Sequence, residues 1–282
     1  MPSTPIDLQF MSRPGLIGAW RTADAIVDPG PASTLPTLLR RLDGWRPRAI
    51  ALTHIHFDHA GAVGALVRRW PGVEVIVHAA GARHLADPAR LWESAKRVFG
   101  DELELRFGTM LPVPAQNIRA LDGGERAAGL RTAATPGHAK HHLAYLDEDS
   151  GRAYVGDVCG VRLGAGPVLP PTPPPDVDLA LWRRSLELIA AWGPSELALT
   201  HFGAVANPGP HLEEVAAALA EHDRLRRGGE QRYVRDARRL LARTCTPQQV
   251  ADYELTVPLD QNQRGLQMAH ERRRARDATE TG

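Results

Sequence analysis

Short apolar runs alternate with amphipathic stretches over most of residues 20–205. Runs of β-branched and small apolar residues are typical of buried strands. They occur at Ala23–Val27, Ala49–Thr53, Val73–Val77, Leu130–Ala134, Leu143–Leu146, Ala153–Val155 and Leu197–Thr200. Between them, apolar residues at helical spacing predict helices at Ser33–Leu42, Ala60–Trp70, Leu91–Phe99 and Asp178–Ala191. The strand-rich halves on either side of about residue 125 suit a core of two stacked sheets.

The pattern changes after about residue 206. Two arginine-rich helical stretches, His211–Arg227 and Gln231–Arg243, precede a third short helix after Thr246-Pro247. No further strand ending in a histidine appears there. We therefore predict an α/β core over residues 1–205 and a C-terminal helical extension over residues 206–282.

The composition narrows the class of protein without identifying it. Of 282 residues, 43% are apolar and 24% are charged, which is typical of a soluble globular enzyme. The formal net charge of +1 argues against a protein held to nucleic acid by a bulk positive field. No apolar run is long enough to span a membrane, the first residues lack the pattern of a secretory signal, and two cysteines are too few for a disulfide framework. We therefore expect a cytoplasmic protein with a small-molecule substrate, without nucleic-acid or membrane partners, and we leave homo-oligomerisation open.

The most informative segment begins at Thr53 and reads THIHFDHAG. An apolar strand leads into it and an amphipathic helix leads out, so it occupies a strand-to-helix loop. In an extended backbone, residues two apart point the same way, so His54 and His56 can face one metal ion. Asp58 and His59 follow at the turn, where the backbone changes direction and can aim both at a second ion. Imidazole and carboxylate ligands suit zinc, with iron or manganese as alternatives.

In three later segments, a histidine or an aspartate lies at the end of a predicted strand. His138 follows the turn sequence TPG, Asp157 follows VG, and His201 follows LT. Sites in α/β proteins lie where strand ends meet at one edge of a sheet. We therefore expect these three side chains to converge with those of the THIHFDHAG segment.

This combination resembles the metallo-β-lactamase superfamily, especially its glyoxalase II-like and lactonase-like hydrolases. The match is the H-x-H-x-D-H motif followed by His138, Asp157 and His201 in the family's order, over about residues 20–205. The resemblance implies a four-layer αββα sandwich with a two-metal site on one edge. By position, it assigns His54, His56 and His138 to the first metal, Asp58, His59 and His201 to the second, and Asp157 to both.

Four further residues are candidates for supporting this site. Asp28 resembles the family's early D-x-G turn and is predicted either to hydrogen-bond a ligand histidine or to form an ordinary Asx turn. Thr53 can orient its neighbours through its hydroxyl group. His142 aligns with the second histidine of the family's G-H-x-x-G-H pattern, whereas His141 replaces that pattern's glycine and is a candidate for lining the pocket. Three other histidines lack ligand-like neighbours and are interpreted as structural or surface residues: His78, His84 and His211.

A proline-rich segment at residues 164–176 follows the strand that leads to Asp157. Its sequence, GAGPVLPPTPPPD, cannot continue a helix or lie inside a sheet, which predicts a stiff, extended loop. From this adjacency we hypothesise that the loop, Trp92 and Phe99 cover the pocket.

The function implied is hydrolysis with two divalent metal ions as cofactors, zinc first. Two such ions acidify a shared water and polarise a carbonyl group. Asp58 is then the catalytic proton acceptor, and the substrate is a carboxylic ester, thioester or lactone. Two alternatives remain open, a mononuclear-iron persulfide dioxygenase, which has an almost identical ligand set, and a metal-dependent phosphodiesterase. The chain lacks a counterpart of the dioxygenase group's G-C-G-R-T-D-F segment after Asp157.

Overall fold

The computed structural model describes residues 4–280, and twelve strands among them form two six-stranded sheets. The first sheet contains β1 (Ile6–Asp7), β2 (Gly18–Arg21), β3 (Ala25–Val27), β4 (Ala49–Ala51), β5 (Glu74–His78) and β6 (Ile118–Leu121). The second contains β7 (Arg126–Ala127), β8 (Leu130–Ala134), β9 (Leu143–Asp147), β10 (Arg152–Tyr154), β11 (Glu196–Leu199) and β12 (Gly203–Val205). The boundary between the sheets falls at residues 122–125, as the two strand-rich halves predict.

Both sheets mix parallel and antiparallel pairs. In the first, the strands lie in sequence order, with antiparallel pairs from β1 to β3 and parallel pairs from β3 to β6. In the second, the order runs from β12 to β7, and only β10 and β11 are parallel. Parallel pairs require crossover connections, which here carry the helices of the outer faces.

Alternation along the short strands decides which side chains meet between the sheets. In β3 and β4, Ala25, Val27 and Ala51 belong to the buried cluster between the sheets, whereas Ile26 and Ile50 pack on the opposite side. In these two strands, the smaller residues therefore face the other sheet, and the larger aliphatic residues face the helices.

Helices cover the outer faces of both sheets, so the fold is the four-layer αββα sandwich that the resemblance implied. The helices are α1 (Leu35–Leu42), α2 (Phe57–Ala60), α3 (Val63–Arg69), α4 (Ala79–Ala86), α5 (Ala89–Phe99), α6 (Glu102–Phe107), α7 (Leu179–Ala191), α8 (Pro208–Arg226), α9 (Glu230–Leu241), α10 (Pro247–Thr256) and α11 (Leu259–Glu280). Along residues 4–280, no helix combines the length and apolar character needed to cross a membrane.

The C-terminal region differs from its prediction in one helix. The third short helix predicted after Thr246-Pro247 is α10, but it is followed by the 22-residue α11, which was not predicted. The first turns of α11 bury polar side chains, Gln261, Asn262 and Gln263, beside Leu266. A search for apolar periodicity therefore misses this helix. The division into a core of residues 1–205 and an extension of residues 206–282 stays a prediction.

Candidate metal centre

Seven predicted ligand residues converge at one edge of the sandwich. His54 and His56 follow β4, and Asp58 and His59 lie in α2 directly after them. The other three side chains follow strands of the second sheet: His138 after β8, Asp157 in a short 3-10 turn after β10, and His201 after β11. Both sheets therefore contribute ligand candidates to the same edge, as the sequence predicts.

The first group of these side chains is His54, His56, His138 and Asp157, whose ligand atoms lie within 4.8 Å of one another. Nδ1 of His56 is 3.0 Å from Nε2 of His54 and 3.0 Å from Nε2 of His138. Oδ2 of Asp157 is 3.4 Å from Nε2 of His138 and 3.9 Å from Nε2 of His54. With bonds of about 2.0–2.1 Å, the ligand atoms of a tetrahedral zinc site are about 3.3–3.4 Å apart. The group therefore has the spacing of a metal site.

The second group is Asp58, His59 and His201, also within 4.8 Å. Nε2 of His201 is 3.4 Å from Oδ2 of Asp58 and 3.3 Å from Nε2 of His59. The first group's Asp157 reaches this group with its other oxygen, because Oδ1 is 3.2 Å from Nε2 of His59 and 3.5 Å from Nε2 of His201. One carboxylate thus faces both groups.

Hydrogen bonds on the outer nitrogens fix the histidine rings. Nδ1 of His138 donates to the carbonyl of Pro171 at 2.8 Å, and Nδ1 of His201 donates to the carbonyl of Leu16 at 2.8 Å. A carbonyl only accepts, so these Nδ1 atoms carry the proton, and in a neutral ring Nε2 has none. Both inner nitrogens are therefore free to bind a cation.

Asp28 fixes the other two histidine rings that face inward through Nε2, His59 directly and His54 through the hydroxyl group of Thr53. Asp28 is fully buried, and its Oδ2 accepts from Nδ1 of His59 at 2.8 Å. The same oxygen accepts the hydroxyl protons of Thr53 at 2.7 Å and Thr200 at 3.0 Å, and Oδ1 accepts the backbone N–H of Thr53 at 2.8 Å. Because the Thr53 hydroxyl donates to Asp28, it can accept from Nδ1 of His54, 3.1 Å away. Asp28 therefore forms the predicted hydrogen bond to a candidate ligand histidine.

These contacts leave a cluster that protein hydrogen bonds alone do not satisfy. When these rings are neutral, the proton on Nδ1 leaves Nε2 without one, and the Nε2 atoms of His54, His59, His138 and His201 converge. Oδ1 of Asp157 is buried and accepts no hydrogen bond. Buried polar atoms in folded proteins almost always have a partner. Divalent cations would satisfy these atoms, so the residues fit a metal centre.

The electrostatic environment favours the protonation states that bind metals. Burial first, and then His138, lowers the pKa of His56 to about 3. Burial opposes ionisation of Asp58, but the neighbouring His59 and His201 hold the pKa of Asp58 at about 2. His59 and His201 differ, because neighbouring carboxylates outweigh burial and raise the pKa of each, Asp157, Asp58 and Asp28 at His59 and Asp157 and Asp58 at His201. Neutral imidazole and ionised carboxylate are the ligand forms, so a proton competes with a cation at these two histidines.

The two adjacent histidines predicted to support the site lie beside its first group. His142 stacks on His54 with ring centroids 5.2 Å apart, and its Nδ1 is 2.7 Å from the hydroxyl oxygen of Thr135. His141 lines the cavity above the site and is 5.8 Å from the ring of His56. Its buried Nδ1 has no hydrogen-bond partner.

A cavity of about 340 Å³ lies above the seven side chains. The proline-rich loop and Phe99 line it, as hypothesised, whereas Trp92 packs behind it on Phe57 with ring centroids 5.8 Å apart. His84 also lines the cavity, which its interpretation as a structural or surface residue missed. Two further groups that carry no motif also line it: Phe10 and Ile17 near the N-terminus, and residues 255–258, 261 and 262 of the C-terminal helices.

Asn262 connects the C-terminal helices to the site and could not be found from the sequence. Its side-chain Oδ1 accepts the backbone N–H of Thr172 at 2.7 Å, and its Nδ2 donates to the carbonyl of Pro170 at 2.9 Å. Between them lies Pro171, whose carbonyl holds Nδ1 of His138. The helix α11 thereby positions a ligand candidate through the loop.

Comparison with known proteins identifies the family. The family model described as metallo-beta-lactamase superfamily matches residues 21–201. The chain belongs to this superfamily. Its curated relatives include a metallo-beta-lactamase fold-containing protein, ST1585, of Sulfurisphaera tokodaii, 29% identical over 55% of this chain and 60% of that protein. A hydroxyacylglutathione hydrolase of Ectopseudomonas mendocina is 28% identical over 73% of this chain and 69% of that protein. The match thus spans less than two thirds of the archaeal relative.

Solved structures of the superfamily agree in fold. The crystal structure of ST1585 from Sulfolobus tokodaii superposes with a TM-score of 0.67 at 22% identity, covering 95% of this chain and 96% of that one. The structure of TTHA1623 in a di-iron-bound form has a TM-score of 0.52 at 26% identity, covering 72% and 93%. The superfamily fold therefore accounts for nearly the whole chain, and its His/Asp cluster has the donor set for divalent metals.

Proposed function

We propose that the protein is a dinuclear metal-dependent hydrolase that cleaves a carboxylic ester, thioester or lactone. The observation that carries this proposal is Asp157, a buried carboxylate whose two oxygens face two separate ligand groups. A carboxylate in that position suits a pair of cations better than a single one. The relatives named hydroxyacylglutathione hydrolase, a thioesterase activity, support the choice of a carbonyl substrate.

His54, His56 and His138 would hold the first ion. Asp58, His59 and His201 would hold the second. Asp157 contacts both. Mixed nitrogen and oxygen donors favour zinc, and iron or manganese are the alternatives. The related structure of TTHA1623 is described as di-iron-bound, so iron is retained as an alternative to zinc.

When bound, the ions supply a water acidified toward a pKa of ~7 and polarise the carbonyl group. The protein's own contribution is position and proton transfer. The side chain of Asp58 lines the cavity and is 21% exposed, and its low pKa keeps it ionised and able to accept a proton at Oδ2. Asp28, Pro171 and Leu16 hold the rings of three histidines in one tautomer, and the Thr53 hydroxyl group holds a fourth, His54, which keeps the ligand atoms in place.

The cavity is sized for a small molecule rather than a polymer, because 340 Å³ lies at the low end of ligand pockets. We propose such a substrate, and a cytoplasmic location for the reaction.

The first test is the metal content of protein purified without added metal, measured by plasma mass spectrometry. We expect about two zinc ions, or a mixed pair, per chain. A thioester, an aryl ester, a lactone and a phosphodiester are then assayed side by side. Cleavage of the phosphodiester alone would overturn the proposal. A single iron per chain, with oxygen consumption in the presence of a persulfide, would favour the dioxygenase instead.

A further inference from the structure

The cavity above the candidate metal ligands is apolar beside the C-terminal end of α5, where Phe99 lies. Four phenyl rings meet there around Phe107, whose centroid is 5.8 Å from that of Phe10, 6.1 Å from that of Phe57 and 5.2 Å from that of Phe99. The four side chains line the cavity together with Ile17 and Ile55. This end of the cavity offers no charged group to a ligand other than the metal ligands themselves.

The helix α5 forms the roof, and no residue of it is buried. Leu91, Ala95, Val98 and Phe99 recur at helical spacing and all line the cavity. Val98 is 40% exposed although it points into this apolar space. Leu91, Ala95 and Phe99 are partly buried against the core, so Val98 is the residue of this face that the protein leaves most exposed. Exposed apolar surface that lines a cavity is typical of a binding site, and a substrate bound above the candidate metal ligands would cover Val98.

The cavity is cationic beside the N-terminal end of α5, where Arg90 lies nine residues before Phe99. His84, Arg90 and Lys140 line it, with Asp176 as the only carboxylate there among the lining residues of the described chain. Nζ of Lys140 lies 3.7 Å from Oδ1 of Asp176, so one of the positive charges is partly balanced. After burial, the charges of Arg83, Lys140 and Arg90 lower the pKa of His84, which confirms that this group is closely spaced. The surplus charge attracts an anion.

We propose that the substrate is amphipathic, with an apolar chain that packs against α5 and an anionic group that lies at Arg90 and Lys140, on either side of the scissile carbonyl group. This inference rests on the proposed hydrolase function. A volume of 340 Å³ has room for about eleven water-sized groups, which fits a chain of several carbons. The substrate class is thus defined by an apolar chain and an anionic group.

Binding can be tested without turnover by calorimetric titration of the metal-loaded protein with butane-, hexane- and octane-1-sulfonate. These probes carry an anionic group and a chain of variable length and contain no bond that the enzyme can hydrolyse. Each added CH₂ should lower Kd by about two- to fourfold until the apolar end is filled. A Kd that does not change with chain length would overturn the proposal.

Two matched variants test where the apolar chain of the probe binds. Val98→Asp places a charge in the cavity and should raise the Kd of octanesulfonate at least ~10-fold, because a carboxylate cannot be desolvated there without a partner. Leu105→Asp is the control, since Leu105 on α6 is 69% exposed and lies outside the cavity lining. Equal effects of the two changes would contradict the assignment. If Val98→Asp instead abolished self-association and left sulfonate binding unchanged, the face would belong to a second copy of the chain, and the proposal would fail.

The anionic part is tested with Arg90→Gln. This change should weaken all three sulfonates by about three- to tenfold and reduce the salt dependence of binding, while leaving the Kd of neutral hexan-1-ol unchanged. An equal loss for the alcohol would show a structural effect and refute the assignment. Failure of the hydrolase proposal is distinguishable: chain-dependent binding without cleavage of any ester contradicts that function alone, whereas cleavage of esters irrespective of chain length contradicts only this inference.

Discussion

The floor and the roof of the cavity are built in different ways. The floor consists of seven side chains at or just after strand ends, and hydrogen bonds to Asp28, Pro171, Leu16 and the hydroxyl group of Thr53 hold four of its histidines. The roof, α5, has no buried residue and meets the core mainly through the rings of Trp92 and Phe99. The floor is therefore fixed by directional contacts, and the roof by a few non-directional ones.

This difference matches two different demands. Metal ligands must be held closely in place, because small displacements weaken both metal binding and catalysis. A wall that selects substrates needs only shape and polarity, and it can vary without disturbing the chemistry. We therefore expect changes in the floor to act on metal binding and kcat, and changes in the roof to act on substrate selection.

The largest effect is expected for Asp58→Asn. The amide cannot accept the proton from the attacking water and binds a cation more weakly, so kcat should fall by about 10²–10⁴-fold. The rate of ester hydrolysis and the metal content are measured together, to separate proton transfer from loss of the second ion. Asp149→Asn, in an exposed turn between β9 and β10, is the control and should keep full activity. Full activity in Asp58→Asn would exclude the proposed role.

A smaller effect is expected for Asp28→Asn, which leaves the seven ligand candidates untouched. Asparagine keeps one accepting oxygen, but its NH2 group cannot replace the second, so the contacts that Asp28 accepts from Thr53, His59 and Thr200 cannot all be kept and the rings are held less firmly. Metal affinity should fall by about 10–100-fold, the range seen when such outer contacts are removed. Competition with a coloured chelator measures it.

The control for Asp28 is Asp24→Asn. Asp24 lies four residues before Asp28, and its side chain is 60% exposed. Its Oδ1 is 3.7 Å from Nε of Arg48, which makes a weak ion pair. Its substitution should leave the affinity unchanged. Equal affinities for the Asp28 and Asp24 variants would mean that the floor does not depend on its outer hydrogen bonds, and the contrast with the roof would disappear.

The same contrast explains what could be predicted from the sequence. The residues from His54 to His59 are close in the chain, and their spacing expresses their geometry directly. Asp28 was found because its turn resembles a family pattern, although its contacts to Thr53, His59 and Thr200 join distant segments. The apolar period of the strands also placed the boundary between the sheets.

The strands and cavity residues that could not be predicted depend on contacts that produce no local pattern in the sequence. β1 is two residues long, and β6 (Ile118–Leu121) exposes its two central residues, so neither gives a strand signal. Asn262 is a buried polar residue on a helix, and only its contacts with Pro170 and Thr172 reveal its role. Phe10 reaches the cavity from near the N-terminus, far in sequence from the motif. Such residues are determined by tertiary packing, which a single sequence does not display.

The smallest effect concerns the stability of the roof itself. Because α5 buries no residue, its local opening should cost much less free energy than global unfolding, whereas β4 is buried throughout. Hydrogen exchange should therefore be faster in α5 than in β4. Ala95→Gly lowers helix stability by about 1 kcal/mol, which should speed exchange in α5 about fivefold and leave β4 unchanged.

Ala217→Gly provides the matched comparison in a helix that is anchored. Ala217 is an exposed residue of α8, but its neighbours Leu212, Val215 and Leu219 are buried. The intrinsic cost of glycine is the same, yet α8 can open only by exposing these side chains, so its amides should remain protected. If α5 is as protected as β4, or if both glycine variants change exchange alike, then the roof is held as firmly as the floor. Selection of the substrate would then have to reside in the cavity's fixed shape rather than in a loosely held helix.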